Sequence, residues 1–573
     1  MTSSEAPARS NSRPVQDLIG VAENVTFSAD PAALFRELLA AAGMTLRNPA
    51  GIFAANTRLL WGYAGALRAA GERAMGRVAP GPIESSRGDK RFADRASQEN
   101  PAYFLLAQQH LLFSRFVDEL LDTAGVSGTR EAKARLAARF LVDALAPTNT
   151  LPGNPAAIRK AFDTGGKSIV NGLKNWVHDV RHNGGWPSQV DSSEFEVGVN
   201  MAATPGSVVY RSDLIELIQY SPQTPETYAV PLLFCPPWIN KFYIMDLAPG
   251  KSLIEWAVQH GHTCFAISYR NPDRSMSDLG FRDYLFQGPL DAVRVVREIT
   301  GAPAINMVSV CLGGTLTAIG LAYNAARGDE SIKSAMFLNT HTDFTEPGLL
   351  GAFTDDRTIA GLEKQMRKKG FLDAADMART FSALRSNDLI FSYVGNNWLQ
   401  GNKPPAFDLL AWNEDSTRMP ARMHSEYLRS CYLRNEFAQG EFEIGGNRLD
   451  PSLVDVDTYV LAAVDDHIVP WTSGYKTTQL FGGKRRFVLS SSGHIAGIVN
   501  PPNPKAKHWV SDSLPADPQE WKANADLVNA TWWQDWAAWI AERGGEKIPA
   551  PDYEGSDEYP PIEKAPGSYV RAT

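Results

Sequence analysis

"NMVSVCLGGTLTAIG", residues 306–320, decides the fold. It begins as a short apolar run with β-branched valines, the signature of a buried strand. It then turns abruptly into a helix at Cys311, with Leu312-Gly313-Gly314 immediately after. Other short apolar runs flank it at 230–234 (VPLLF), 263–269 (TCFAISY), 304–310 (AINMVSV), 332–339 (IKSAMFLN), 457–463 (DTYVLAA) and 486–490 (RFVLS). Helical stretches fall between them, near 250–260, 283–299, 314–327 and 473–481. Strands alternating with helices require βαβ crossovers and a mostly parallel sheet. Upstream, "SVVYRSDLIELIQY" reads as two strands joined by a turn at Arg211-Ser212-Asp213. Between 340 and 456 the alternation fails, so this stretch is expected to be an inserted, largely helical cap.

The remaining chain sets the context. Its 573 residues exceed one ordinary core and call for two or more domains. Apolar residues recur at helical spacing in "PAALFRELLAAAG", "FLLAQQHLLFSRFVDELLDTAG" and "NPAAIRKAFDTGGKSIVNGLKNWVHDV". We therefore expect an N-terminal segment 1–90, partly disordered or helical, and a helical domain 91–205. A catalytic domain 206–573 follows, with the cap inside it. The N-terminal stretch MTSSEAPARSNSRPVQD reads as a disordered tail and lacks the apolar region of a secretion signal. The acid- and proline-rich end, 546–573, is expected to wrap the surface. Hydrophobic residues make up 44% and charged residues 21%, a globular balance. No window is apolar enough to span a membrane. A net charge of −8 argues against a general nucleic-acid-binding surface. The four cysteines (Cys235, Cys264, Cys311, Cys431) are far apart, which excludes common zinc patterns and fits a reducing cytosol.

Cys311 lies in Ser309-Val310-Cys311-Leu312-Gly313, a variant of the G-x-S-x-G strand-to-helix elbow. The elbow places its nucleophile at a helix N-terminus, where the helix dipole favours a thiolate. Ser309 replaces the first glycine and is small enough for the close approach. An acid and a histidine follow in the order this elbow uses. "LAAVDDHIVPW" brings Asp465, Asp466 and His467 just past a strand, and "RFVLSSSGHIAGIVNPP" brings His494 past the last one. These are strand ends at which open α/β sheets build their sites. Spacing leaves both aspartates open. An oxyanion hole would use the N–H of Leu312 and one from "CPPWINKFYIMD", where Pro236 and Pro237 have none, leaving Trp238 or Ile239. Cys235, Cys264 and Cys431 read as core. So do Trp532, Trp536 and Trp539 of "TWWQDWAAWI", and Lys484-Arg485-Arg486 reads as a solvated strand entry.

Long stretches from about residue 100 onward resemble the polyhydroxyalkanoate synthases, class I in particular. They include "APTNTLPGNPAAIRKAFDTGGKSIVNGL", "HNGGWPSQV", "PPWINKFYIMDL", "SNDLIFSYVGNNWLQGN", "FDLLAWNEDSTRMP", "DDHIVPW" and "SGHIAGIVNPP". The resemblance implies an α/β-hydrolase-type domain behind a helical one, with nucleophile Cys311 and histidine His494. It selects Asp466, directly before His-Ile-Val-Pro-Trp, with His467 supporting. It also implies no metal, and no cofactor beyond the coenzyme A carried by the substrate. The implied partners are a hydroxyacyl-CoA, the growing polyester chain, a second copy in a homodimer and granule-associated proteins. The implied location is the cytoplasm, at the polyester granule surface. The activity would be a polymerising acyl transfer from (R)-3-hydroxybutyryl-CoA or a similar thioester. The alternatives are a Cys-nucleophile ester or thioester hydrolase, and a non-enzymatic granule scaffold.

Overall fold

β-Branched and apolar runs meet in one twelve-stranded sheet in the computed structural model, which describes residues 31–86 and 89–572. The tail expected at the N-terminus lies outside the described residues. The first strands are β1 (Gly206–Arg211), β2 (Ile215–Tyr220), β3 (Glu226–Cys235) and β4 (His262–Tyr269). β5 (Ile305–Val310), β6 (Ile332–Leu338), β7 (Asp457–Ala463) and β8 (Arg485–Ser490) follow. The short strands β9 (His508–Val510), β10 (Asp526–Val528), β11 (Lys547–Pro549) and β12 (Glu563–Lys564) complete it. Across the sheet the order is β10-β9-β8-β7-β6-β5-β3-β4-β2-β1-β12, with β11 alongside the start of β3. The six strands β3 to β8 pair in parallel, and antiparallel strands extend both sides. Every residue of β5 is buried, because helices cover both faces of a central parallel strand. This is the α/β-hydrolase-type sheet expected from the sequence. The acidic C-terminal stretch does wrap it: Lys547–Pro549 extends β3's edge and Glu563–Lys564 pairs with β1.

The chain divides into two compact units. The first holds the described residues up to Gln189 together with Arg379–Pro405. Its helices begin where the sequence says: Asn48, Asn100 and Asn154 each cap a helix whose first residue is proline. Positive-φ Gly165 and Gly166 separate helices Pro155–Asp163 and Lys167–His182. The second unit holds Val190–Ala378 and Ala406–Thr573, and with it the sheet. The cap drawn at 340–456 is thus divided, since 379–405 groups with the first unit. Within the second unit, the segment read as one helix at 283–299 is two. Gly288 separates Phe281–Gln287 from Pro289–Thr300, because Pro289 has no N–H to continue the ladder.

Trp532 and Trp536 are fully buried against the sheet and Trp539 nearly so, as the helical spacing predicts, and Trp533 is buried as well. Lys484 and Arg485 of the basic triplet are exposed and Arg486 is half-buried, a largely solvated strand entry as expected. Arg486 pairs with Asp535, its Nε 2.9 Å from Oδ1, and Arg485 donates to the carbonyls of Thr478 and Phe481. It lies at the entry of β8, opposite the strand ends that carry the site.

Candidate active site

Cys311 follows β5 and caps the helix Leu312–Arg327 at φ 50°, ψ −117°. A non-glycine residue at such a φ is strained, which is the geometry of an elbow that thrusts its side chain out of the sheet. Its N–H donates to Leu338 O of β6 at 2.9 Å, anchoring the turn to the neighbouring strand. The small residues after it have steric reasons. A Cβ on Gly313 would meet the carbonyls of Cys235 and Pro236 inside contact distance, and one on Gly314 would strike Thr340. Ser309 is accommodated: its buried hydroxyl shares a 2.8 Å hydrogen bond with Thr317 on the elbow helix. A Gly313→Ala substitution is therefore expected to lower stability by about 1–3 kcal/mol, since its obstacles are backbone atoms. A urea denaturation series would measure it, and an unchanged midpoint would contradict the packing argument.

Asp466 and His494 arrive from β7 and β8. Asp466 has a fully buried side chain, and its Oδ2 lies 2.6 Å from His494 Nδ1. Its Oδ1 accepts the N–H groups of Ile468 (2.8 Å) and Val469 (2.9 Å), which locks the carboxylate in its own turn. Asp465, by contrast, is exposed. His494 is fully enclosed, and burial alone would favour its neutral form. The charges of Asp466 and of the Cys311 sulfur, with hydrogen bonds to both, outweigh burial and push it up to about 10. His494 thus stands between Asp466, in a 2.6 Å hydrogen bond, and the Cys311 sulfur, within electrostatic reach.

The loop after β3 lies against the elbow through Cys235 and Pro236. It carries Trp238 and Ile239, both buried. Asn240 N–H donates to Thr417 Oγ1 at 2.8 Å, which ties this loop to the cap. Trp238 packs among Phe281, Tyr284 and Tyr427 at ring distances of 5.9–6.0 Å. Leu312 opens the elbow helix and is buried, and His467 is half-buried beside Asp466. Cys235 is buried and pushed up to about 12, and burial also raises Cys264 and Cys431. Among the described residues, no cluster of His, Cys, Asp and Glu is arranged to hold a metal ion.

Several neighbours escaped the sequence reading. Tyr427 and Tyr432 of the cap are buried within electrostatic reach of the Cys311 sulfur. Asn339, at the end of β6, donates its amide to the His494 carbonyl. Trp532 and Trp533 donate their indole N–H groups to Gly497 and Ile498 in the histidine loop, at 2.8 and 2.9 Å. The available signal for Asn339 was its place at a strand's C-terminal end; the tyrosines had none.

The sheet and elbow define a member of the α/β-hydrolase fold with a cysteine on the elbow. Residues 230–501 match the α/β-hydrolase fold family, and residues 88–257 match "Poly-beta-hydroxybutyrate polymerase (PhaC) N-terminus". A poly(3-hydroxyalkanoate) polymerase of Methylorubrum extorquens is 42% identical, over 94% of this chain and 89% of that one. One from Cupriavidus necator is 42% identical over 86% of this chain and 84% of its own. The chain belongs to the poly(3-hydroxyalkanoate) polymerase family and is an acyltransferase. The hydrolase alternative is not favoured by these relatives.

Proposed function

We propose that this chain joins (R)-3-hydroxyacyl-CoA units, 3-hydroxybutyryl-CoA among them, into a polyester and releases coenzyme A at each addition. The observation that carries the catalytic part is the enclosed His494 between Asp466 and the Cys311 sulfur. Cys311 attacks the thioester carbonyl as a thiolate, paired with protonated His494. The N–H of Leu312 and that of Trp238 or Ile239 hold the oxyanion. The C–S bond to coenzyme A breaks, and the leaving sulfur takes the His494 proton. The 3-hydroxyl of another acyl unit then attacks the Cys311 thioester. Its proton passes to His494, Cys311 leaves as thiolate, and a new ester remains. Asp466 orients His494 and stabilises its charge, with His467 supporting the acid loop.

Water would divert the acyl group to free acid. The buried aromatic wall of Phe344, Tyr427 and Tyr432 over this side of the site supports exclusion of water. A cytoplasmic homodimer at the granule surface, with granule-associated proteins and no resident cofactor, completes this reading. No helix among the described residues is long and apolar enough to cross a membrane.

The test is the full chain with (R)-3-hydroxybutyryl-CoA, following thiol release and turbidity together. Thiol release with growing turbidity is expected. Thiol release with a clear solution and free hydroxy acid would overturn the polymerising reading.

A further inference from the structure

The three residues after β6 touch all three parts of the site. Asn339 donates to the His494 carbonyl. Thr340 closes against Gly314 of the elbow. The His341 carbonyl accepts the hydroxyl of Thr315, on the first turn of the elbow helix, at 2.7 Å. The His341 ring completes the set. Its Nε2 lies 3.2 Å from the carbonyl of Ile468, the residue whose N–H donates to Asp466. Its Nδ1 lies 2.9 Å from Ser473 Oγ, on the helix that follows the acid loop.

A carbonyl only accepts, so Nε2 carries a hydrogen. Ser473 Oγ is also 2.9 Å from the Asp343 carbonyl, but a hydroxyl has one hydrogen to give. If it goes to Asp343, Nδ1 must donate and the ring must be a cation. If it goes to Nδ1, the ring is neutral. Burial, the largest influence, pulls His341 down to about 4, although the Ile468 carbonyl and Asp466 act to raise it. In either case Nε2 donates to the Ile468 carbonyl, and burial favours the neutral ring. That state leaves the Asp466 charge undivided for His494. The groups that face the ring are Asp466, His494 and the Asp343 carbonyl, with Phe344 stacked at 4.9 Å and Tyr432 edge-on at 6.2 Å.

We propose that His341 is a positioning residue for acyl transfer, holding the Ile468 turn so that Asp466 keeps its geometry on His494. This rests on the roles given above to Cys311, Asp466 and His494. It differs from simple packing, because Nε2 must present a hydrogen to the Ile468 carbonyl.

The test compares the full chain with His341→Leu, His341→Gln and Ser473→Ala. Single-turnover thiol release is followed against pH, and its alkaline limb reports loss of the His494 proton. In His341→Leu, the single-turnover rate constant is expected to fall about 10- to 100-fold with its half-saturating concentration little changed. The alkaline limb should move down by about one pH unit. His341→Gln, which keeps an N–H donor, should recover most of the rate. Ser473→Ala should shift the limb in the same direction by less, and it decides the matter if His341→Leu does not fold. An unshifted limb in folded His341→Leu, or in Ser473→Ala when the leucine variant is unfolded, would overturn the proposal. Alkylation of Cys311 by iodoacetamide in the parent chain separates the two levels. An unreactive Cys311 together with no thiol release would refute the underlying reading, whereas a reactive one with unshifted variants would refute only the role of His341.

Discussion

Cys311→Ala is expected to abolish acyl transfer, with thiol release from (R)-3-hydroxybutyryl-CoA falling on the order of 10⁴- to 10⁶-fold. The expectation is specific to this cysteine. Cys235, Cys264 and Cys431 are buried, and burial raises all three, so none can replace it as a thiolate. Only Cys311 combines partial exposure with a positive φ, a helix N-terminus and a histidine partner. Covalent labelling by radioactive substrate should therefore vanish with the rate. A Cys311→Ala chain that still carries a full equivalent of acyl label would require another nucleophile. Because alanine adopts the same elbow backbone as cysteine, the thermal midpoint should barely move, which separates lost chemistry from lost structure.

The central sheet was legible because burial on both faces writes continuous apolar runs into the sequence. β4, β5, β6, β7 and β8 each fall within a residue or so of the run that announced them. The edge strands β9 to β12 were not legible. They are two or three residues long, and their pairing depends on what they lie beside rather than on any period of their own. The destination of 379–405 was hidden for the same reason. It is fixed by packing with distant sequence in its own unit: Asn175 Nδ2 donates to the carbonyls of Asn397 and Asn402 at 2.9 and 2.8 Å, and Gly172 leaves room for the backbone of Trp398.

The candidate site divides in a similar way. Cys311, the two aspartates and His494 stood out because each follows a strand at the same end of a parallel sheet. His341 occupies an equivalent strand-end position after β6, yet "NTHTDF" resembles no motif. Its role depends on a carbonyl 127 residues away in sequence. The tyrosines over Cys311 come from cap helices whose path no local pattern specifies. The elbow glycines were legible as a motif, but the identity of their obstacles, the Cys235 and Pro236 carbonyls and Thr340, belongs to tertiary structure.

The two adjacent aspartates give the sharpest contrast in expected effect. Asp466→Asn should reduce thiol release about 10³- to 10⁴-fold, as loss of a triad carboxylate does elsewhere. Asp465→Asn should stay within a few-fold of the parent. The side chain of Asp466 is wholly buried and spends both oxygens on His494 Nδ1 and two backbone N–H groups. An asparagine must turn an NH₂ group toward one of those donors, breaking the contact and favouring the wrong imidazole tautomer. The electrostatic consequence has a definite sign. His494 is raised from 6.5 to about 10, so the stability it contributes is complete below pH 6.5 and is lost as pH climbs toward 10. Without the Asp466 charge, burial opposes protonation with only Cys311 left against it, and that alkaline dependence should shrink. Urea midpoints at pH 7 and pH 9.5 would measure the change. A parent chain as stable at pH 9.5 as at pH 7 would remove the charged pair from the account. A severe Asp465→Asn beside a mild Asp466→Asn would exchange the two residues' roles, which the exposed position of Asp465 argues against.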